Sequence, residues 1–268
     1  MSNHGQHRLS VAGVFITLGI IFGDIGTSPL YVMKAVVGEG NIIDRLVVLG
    51  GVSLVFWTLT IQTTIKYVWL VLRADNKGEG GIFSLYSLVK RRQRWLMFPA
   101  LLGGAAVLAE GMITPPITVS SAIEGLAIQY PGIPTIPITV TIICILFFIQ
   151  RFGTVAVGKG FGPVMFVWFS MLGVLGISQA IYEPDVFHAI NPMMGIKLLR
   201  NSPSMLVVLG AVFLCTTGAE ALYADLGHCG RENIRISWIY VKICLLLNYF
   251  GQAAWLLHHT GKPLDENP

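Results

Sequence analysis

Apolar residues dominate seven long stretches of this chain, and each is long enough to predict a helix across a lipid bilayer. A spanning helix needs about 20 mostly apolar residues. The predicted spans are 11–33, 47–72, 96–121, 133–150, 161–182, 204–227 and 236–257. The loops between them are polar and show no low-complexity tract. The pattern therefore predicts an all-α, polytopic membrane protein, with a single membrane domain over residues 1–268.

Composition agrees with a bilayer protein and argues against several other classes. Of the 268 residues, 54% are hydrophobic and only 12% are charged, whereas soluble domains carry about 25% charged residues. The four cysteines have no metal-ligand spacing, and no Ser-His-Asp or Cys-His arrangement can be placed. No basic tail indicates nucleic acid. We therefore expect no enzyme activity, no cofactor and no nucleic-acid partner.

The distribution of basic residues predicts the orientation. With the N-terminus inside, eleven lysines and arginines lie in inside loops and five lie in outside segments. An excess of basic residues marks the cytoplasmic side. We therefore expect a cytoplasmic N-terminus. The run Lys90–Arg94, "KRRQR", is interpreted as a topology anchor with a solvated face, and specific lipid binding is a weaker alternative.

The first span is interrupted by the polar stretch "GDIGTSPLY" at 23–31. Pro29 removes a backbone donor and the two glycines ease departure from helical geometry, so the first helix is predicted to be discontinuous. Asp24, two hydroxyl residues and Tyr31 add hard oxygen donors, which suit an alkali cation. A kink packed by neighbouring helices is the alternative. It does not explain Asp24, which costs about 3 kcal/mol at a helix centre unless it is partnered.

A second polar cluster lies on the third span. Glu110, Thr114 and Thr118 are spaced four apart and therefore share one helix face. Pro115 and Pro116 are predicted to break or kink this segment. One carboxylate and two hydroxyls suit a cation site together with the first helix. A buried acid kept neutral by desolvation is the alternative for Glu110, and it is also what a proton relay requires.

The sixth span carries a third cluster, with Thr216, Thr217 and Glu220 around a glycine. In inverted-repeat transporters the first and sixth spans occupy matching positions, and both are interrupted at the substrate site. In this chain the two spans match in their position and in the chemistry of their polar residues, but not in amino-acid identity. The sixth helix is therefore also predicted to be discontinuous.

Two further features lie near the predicted inner boundary. Asp225 follows the polar cluster of the sixth span, and pairing with Arg231 or Arg235 is its structural explanation. The glycine-rich stretch 76–88, "NKGEGGIFSLYSL", lacks the Gly-Lys-Ser/Thr pattern of a phosphate loop. It is interpreted as an inner loop that leads into a short amphipathic helix.

Five motifs together resemble a known family. They are "GDIGTSPLY", "NKGEGGIFSLYSL", "EGMITPPITVSSAIEGL", "GTVAVGKGFGPVM" and "TTGAEALYADLGHCGRENIRISW". From about residue 11 onward the chain resembles the KUP/HAK/KT family of potassium uptake permeases. The resemblance implies a proton-coupled potassium symporter of the amino acid–polyamine–organocation superfamily, built from inverted repeats in the cell (inner) membrane.

The resemblance also assigns residue roles. It implies a potassium site formed by Asp24, Tyr31, Glu110, Thr114, Thr118, Thr216 and Thr217. It implies proton coupling through Glu110 or Glu220. The family commonly has aspartate where this chain has Glu110, and Pro-Ala where it has Pro115-Pro116.

Family members are much longer than this chain. The resemblance therefore implies the N-terminal part of a transporter with an incomplete second repeat. The expected partners are the potassium ion, the proton, the lipid bilayer, and a second copy of the chain or a missing C-terminal half. A non-transporting remnant, assembly partner or regulator is one alternative. Transport of an amino acid or another organic cation is the other.

Overall fold

The computed structural model describes residues 9–130, 132–150 and 154–264. Regular structure in these ranges is helical, and no strand occurs there apart from isolated bridges. The all-α prediction is therefore confirmed. Gly153, which begins the fourth motif, lies outside the described residues. So do Arg8 and Arg151, which were counted among the basic residues of the predicted inside loops.

The longer helices carry the apolar stretches, and shorter helices connect them. The helices are α1 Val11–Ile21, α2 Gly23–Thr27, α3 Val32–Val37, α4 Arg45–Thr58, α5 Ile82–Val89, α6 Met97–Gln129, α7 Thr135–Gln150, α8 Thr154–Ala180, α9 Pro192–Asn201, α10 Met205–Phe213, α11 Ala221–Ala224, α12 Leu226–Cys229 and α13 Arg231–His258. After α4 the chain continues as a π-helix over Leu59–Leu70 and a 3₁₀ turn over Val71–Arg73. Further 3₁₀ segments are Ser28–Leu30, Arg94–Leu96, Pro184–Ile190 and Leu214–Thr216.

The first span is broken, as the glycines and proline predict. Helix α1 begins at the cap residue Ser10, whose side chain accepts a hydrogen bond from the Gly13 amide, and ends at Ile21. Phe22 leaves helical geometry (φ −96°, ψ 14°), and the backbone bends by 69° there. Helix α2 and the 3₁₀ segment that contains Pro29 follow. The discontinuous first helix is confirmed.

Six of the seven apolar stretches have the length and composition of a membrane span in the described residues. Five are long helical segments, and the bent pair formed by α1 and the following short helices makes the sixth. The fourth stretch forms α7, whose apolar segment Thr135–Ile149 is shorter than a span. The multi-pass architecture is confirmed, and a seventh span stays a prediction.

Helix α6 corrects one expectation. Pro115 and Pro116 lie inside a continuous helix of 33 residues rather than at a break. Membrane helices tolerate internal prolines because side chains and local backbone adjustments satisfy the freed carbonyl groups. As a result, Glu110 and Thr118, on either side of the prolines, belong to one helix.

The chain divides into two compact units, and the bilayer helices contribute segments to each. The first unit consists of Met1–Asp24, Ile65–Val164 and Gly218–Trp238. The second consists of Ile25–Thr64, Met165–Thr217 and Ile239–Pro268. A single membrane domain and an inverted repeat both stay predictions.

In the first unit, the start of α13 holds α1 in place. The Ser10 amide donates to Asn233 Oδ1 at 3.2 Å, and Asn233 Nδ2 donates to the Cys229 carbonyl at 2.8 Å. The rings of Phe22 and Trp238 stack with centroids 6.2 Å apart. These contacts at both ends of α1 set the position at which the chain reaches Asp24.

In the second unit, glycines allow α4 and α9 to pack closely. A Cβ added at Gly50 would lie 2.5 Å from Leu198 Cβ, and one added at Gly195 would lie 2.9 Å from Leu54 Cδ2. Close approach through small residues is the usual way in which membrane helices associate.

Candidate functional site

Three acidic side chains from distant parts of the sequence come together in the first unit. Asp24 lies in α2, Glu110 lies in the middle of α6, and Glu220 directly precedes α11. Glu220 lies within electrostatic range of Glu110. Asp24 lies within electrostatic range of both. We call these three residues the carboxyl cluster.

The break in the sixth span supplies a backbone donor to this cluster. Helix α10 ends in a 3₁₀ turn, Thr217 is extended (ψ 131°), and Gly218 adopts a positive φ of 83°. This geometry turns the Gly218 amide away from helical bonding, and it donates to Glu110 Oε1 at 3.2 Å. The discontinuous sixth helix is confirmed, and the interruption reaches one of the predicted acids directly.

The arrangement has a clear chemical consequence. Two ionised carboxylates close to each other repel unless a proton or a cation reduces their charge. Asp24 is exposed, whereas Glu110 and Glu220 are half-buried. In the described ranges no group of three or more His, Cys, Asp or Glu side chains is placed to hold one metal ion. Carboxyl groups in this arrangement can exchange a proton or offer hard oxygen donors to a cation.

The two threonines of α6 lie on the same helix as Glu110. Thr114 is 5% exposed and Thr118 is half-buried. Because all three residues are spaced by four, they follow one face of α6. The face predicted from the sequence thus carries one member of the carboxyl cluster and two hydroxyl groups.

The remaining predicted residues belong to the second unit. There, the segments Ser28–Leu30 and Leu214–Thr216 pack against each other. The Tyr31 hydroxyl lies 3.4 Å from Ser28 Oγ. Thr216 is buried and donates its hydroxyl proton to the Phe213 carbonyl at 2.9 Å, which leaves its oxygen lone pairs available.

Thr217 is half-buried in the same unit. The second unit thus brings the interrupted parts of the first and sixth spans together, with Tyr31 and Thr216 at that junction. A single potassium site that joins these oxygens to the acids stays a prediction.

Sequence reasoning missed Tyr67. Its phenol lies within electrostatic range of Glu110 and Glu220 in the first unit. Nothing in the residues around it signals this, because it follows Lys66 in an ordinary apolar span. Lys66 itself is exposed, with its ammonium 5.2 Å from the Tyr67 ring centroid.

The pairing expected for Asp225 is wrong. Arg231 donates to Asp75 at 2.9 Å, and Arg235 pairs with Glu232 at 3.1 Å. Asp225 instead lies 3.8 Å from His228 Nδ1.

The glycine-rich loop, which supplies the partner of Arg231, begins with a tight turn. Asn76 and Glu79 exchange backbone hydrogen bonds around Lys77 and Gly78, which both have positive φ. This is the geometry of a tight two-residue turn. The turn leads into α5, as predicted.

The loop is held against the C-terminal end of the sixth span. The Tyr223 hydroxyl donates to the Ala74 carbonyl. A Cβ at Gly80 would overlap the Tyr223 carbonyl oxygen, so only glycine permits this approach. The ion pair between Asp75 and Arg231 fastens the same loop to the start of α13.

The fold and its polar interruptions define an all-α, multi-pass membrane protein. The chain belongs to the family described as "K+ potassium transporter integral membrane domain", which matches residues 11–266. It is 62% identical over 271 residues to the "Probable potassium transport system protein Kup" of Cytophaga hutchinsonii, covering 99% of this chain and 41% of that protein.

A second relative, which is less similar, leads to the same family. The protein of the same name from Enterococcus faecalis is 52% identical over 280 residues, covering 98% of this chain and 41% of the relative. This chain thus spans about two fifths of the length of these relatives, which are named as transport proteins and not as enzymes. No solved structure matches the sequence.

Proposed function

We propose that this chain takes part in potassium uptake across the cell membrane by symport with protons, with its N-terminus in the cytoplasm. The carboxyl cluster carries the proposal. Asp24, Glu110 and Glu220 lie within electrostatic range of one another, and the Gly218 amide, at a break in a membrane helix, donates to Glu110. Acids at membrane depth mark ion pathways and proton relays.

In this mechanism the proton and the cation are bound at the same time. Glu110 or Glu220 holds the proton, its neutral carboxyl reduces the repulsion within the cluster, and the potassium ion contacts Asp24 and the hydroxyl groups of α6, so that both are carried to the same side of the membrane. Entry of each positive charge is favoured by about 2.3 kcal/mol per 100 mV of inside-negative potential. Cotransport of a proton adds a second electrical contribution of this size. The pH gradient across the membrane adds a further driving force for uptake.

The names of the relatives support potassium as the substrate. The chemistry of the site supports it as well, because carboxylates and hydroxyls are hard oxygen donors. Tyr31, Thr216 and Thr217 are proposed as further potassium ligands on the basis of the family resemblance.

The test is rubidium uptake in a bacterial strain that lacks its own potassium uptake systems. The 268-residue chain is expressed alone, and also fused to the part of the Cytophaga hutchinsonii relative that lies beyond the matched region. In whichever form transports, we expect Asp24→Asn and Glu110→Gln each to reduce uptake at least tenfold. Glu124→Gln is the matched control, because Glu124 lies on the same helix and hydrogen-bonds to Ser120; it should retain most uptake.

Two results would contradict the proposal. Unchanged uptake in both Asp24→Asn and Glu110→Gln would remove the site. Failure of both forms to transport, although each is folded in the membrane, would favour a non-transporting role for this chain.

A further inference from the structure

A basic surface depression lies between α5 and α6, apart from the carboxyl cluster. It has a volume of about 430 Å³ and is lined by Tyr86, Lys90, Arg91, Arg94 and Met97. Binding pockets for small molecules usually have volumes of about 300–1,000 Å³. The depression is therefore large enough for a lipid headgroup.

The local chain geometry explains why these side chains converge. Tyr86 and Lys90 lie four residues apart at the end of α5, so they project from the same side. The chain then turns tightly, and the 3₁₀ segment beginning at Arg94 leads into α6 at Met97. The end of one helix and the start of the next thus enclose the depression.

No described carboxylate forms an ion pair with the cations of the depression. In the parts of the chain that the structure describes, no carboxylate lies within 4.0 Å of Lys90, Arg91 or Arg94, and all three side chains are exposed. By contrast, Arg231 and Arg235, which follow the sixth span, both have acidic partners. The depression therefore has a surplus of positive charge that an anion would neutralise.

The exposed residues at the start of α6 indicate where the depression lies relative to the bilayer. Met97 and Phe98 open this helix and are 51% and 79% exposed, which places the start of the apolar surface there. Trp95, at 64% exposed, occupies the position typical of an interfacial aromatic residue. Arg94 precedes Met97 by three residues, a rise of about 6 Å in 3₁₀ geometry. The cations thus lie at the level of lipid headgroups.

We propose that this depression binds the headgroup of an anionic phospholipid. Lys90, Arg91 and Arg94 contact the phosphate, and Tyr86 and Met97 provide an apolar wall for the glycerol and the first methylene groups. The apolar wall and the adjoining surface of α6 favour a lipid over free phosphate. Basic pockets beside membrane helices recognise headgroups in this way.

The test measures binding of fluorescently labelled phosphatidylglycerol to the full chain in detergent by anisotropy. Labelled phosphatidylcholine is the uncharged comparison. One surface cation contributes about fivefold to the attraction of an anionic lipid. The triple variant Lys90→Gln, Arg91→Gln, Arg94→Gln should therefore weaken phosphatidylglycerol binding at least tenfold.

A second triple variant controls for net charge. Lys197→Gln, Arg200→Gln and Lys262→Gln remove the same three charges from exposed positions elsewhere, and binding should stay within about twofold of the original chain. If the first triple variant does not purify, the single variant Arg91→Gln replaces it, with an expected loss of about fivefold.

Three outcomes would overturn the proposal. One is equal binding of phosphatidylcholine and phosphatidylglycerol by the unmodified chain. Another is unchanged binding after removal of the depression's charges, or an equal loss in the control triple variant. The third is displacement of the lipid by millimolar inorganic phosphate, which would indicate a site for the free anion.

Discussion

The backbone amide of Gly218 donates a hydrogen bond to Glu110 Oε1 at 3.2 Å. This contact joins the break in the sixth span to the middle of the third. It depends on the positive φ of Gly218, which is 83°. An L-residue with a side chain adopts that conformation at a cost of about 1–2 kcal/mol.

Gly218→Ala is therefore expected to lower the free energy of unfolding by about 1–2 kcal/mol. Thermal unfolding of the purified chain in detergent, followed by circular dichroism, measures the change. Gly210→Ala is the matched control in the same span. It lies inside α10 with no atom within 4 Å of an added Cβ, so alanine should be neutral or slightly stabilising. Equal behaviour of the two variants would contradict the role assigned to Gly218.

Gly80→Ala should release the glycine-rich loop. The added Cβ would overlap the Tyr223 carbonyl oxygen, and a backbone atom cannot rotate away as a side chain can. We expect trypsin to cut after Lys77 at least fivefold faster, because cleavage requires the loop to open locally. Gly125→Ala, which places its Cβ in open space on α6, should leave the rate unchanged. A rate in Gly80→Ala equal to that of the control would show that the loop is not held there.

The ion pair between Asp75 and Arg231 should stabilise the chain measurably. It is 2.9 Å long, and both side chains are about one third exposed. Asp75→Asn is expected to cost about 1 kcal/mol, and a double-mutant cycle with Arg231→Gln should give a coupling free energy of similar size.

The control cycle uses Glu232 and Arg235, which pair within one helix with Glu232 58% exposed. Such pairs contribute about 0.3–0.5 kcal/mol. A coupling for Asp75 and Arg231 no larger than this would refute the stabilising role of the loop contact.

The second unit contains a pH-dependent contact. The hydrogen bond from Arg45 to Asp185 holds the pKa of the Asp185 carboxyl below its ordinary value of 3.8. His188, 3.9 Å away, also faces this carboxyl. Because the folded-state pKa is lowered, the stabilisation is present above pH 3.8 and is lost as the pH falls below that value.

Asp185→Asn should therefore flatten the dependence of the unfolding temperature on pH between about pH 4 and pH 2. Arg45→Gln should have the same effect, and the double variant should show no further change. Thermal unfolding in detergent across this pH range measures it. A steeper dependence in Asp185→Asn would mean that the folded-state pKa of this carboxyl is not lowered.

Local signals in the sequence were sufficient for much of the fold. The apolar stretches predict the long helices because the bilayer requires backbone polar groups to be satisfied within a helix. The interruptions of the first span, beside Gly23 and at the 3₁₀ segment with Pro29, and of the sixth span at Gly218 were also predictable, because glycine and proline act on their own backbone and the turn beside it. The choice of Asp24, Glu110 and Glu220 as candidates rested on the cost of an acid in an apolar helix.

Only the tertiary structure decided which of these residues meet. Glu110 lies within electrostatic range of Glu220, which is 110 positions further along the chain, and Tyr67 lies within range of both without any local signal. Arg231 pairs with Asp75 rather than with Asp225, and α6 continues through Pro115 and Pro116. These outcomes depend on packing between helices that are distant along the chain. The periodicity and residue chemistry of one segment carry no information about which other segment will lie against it.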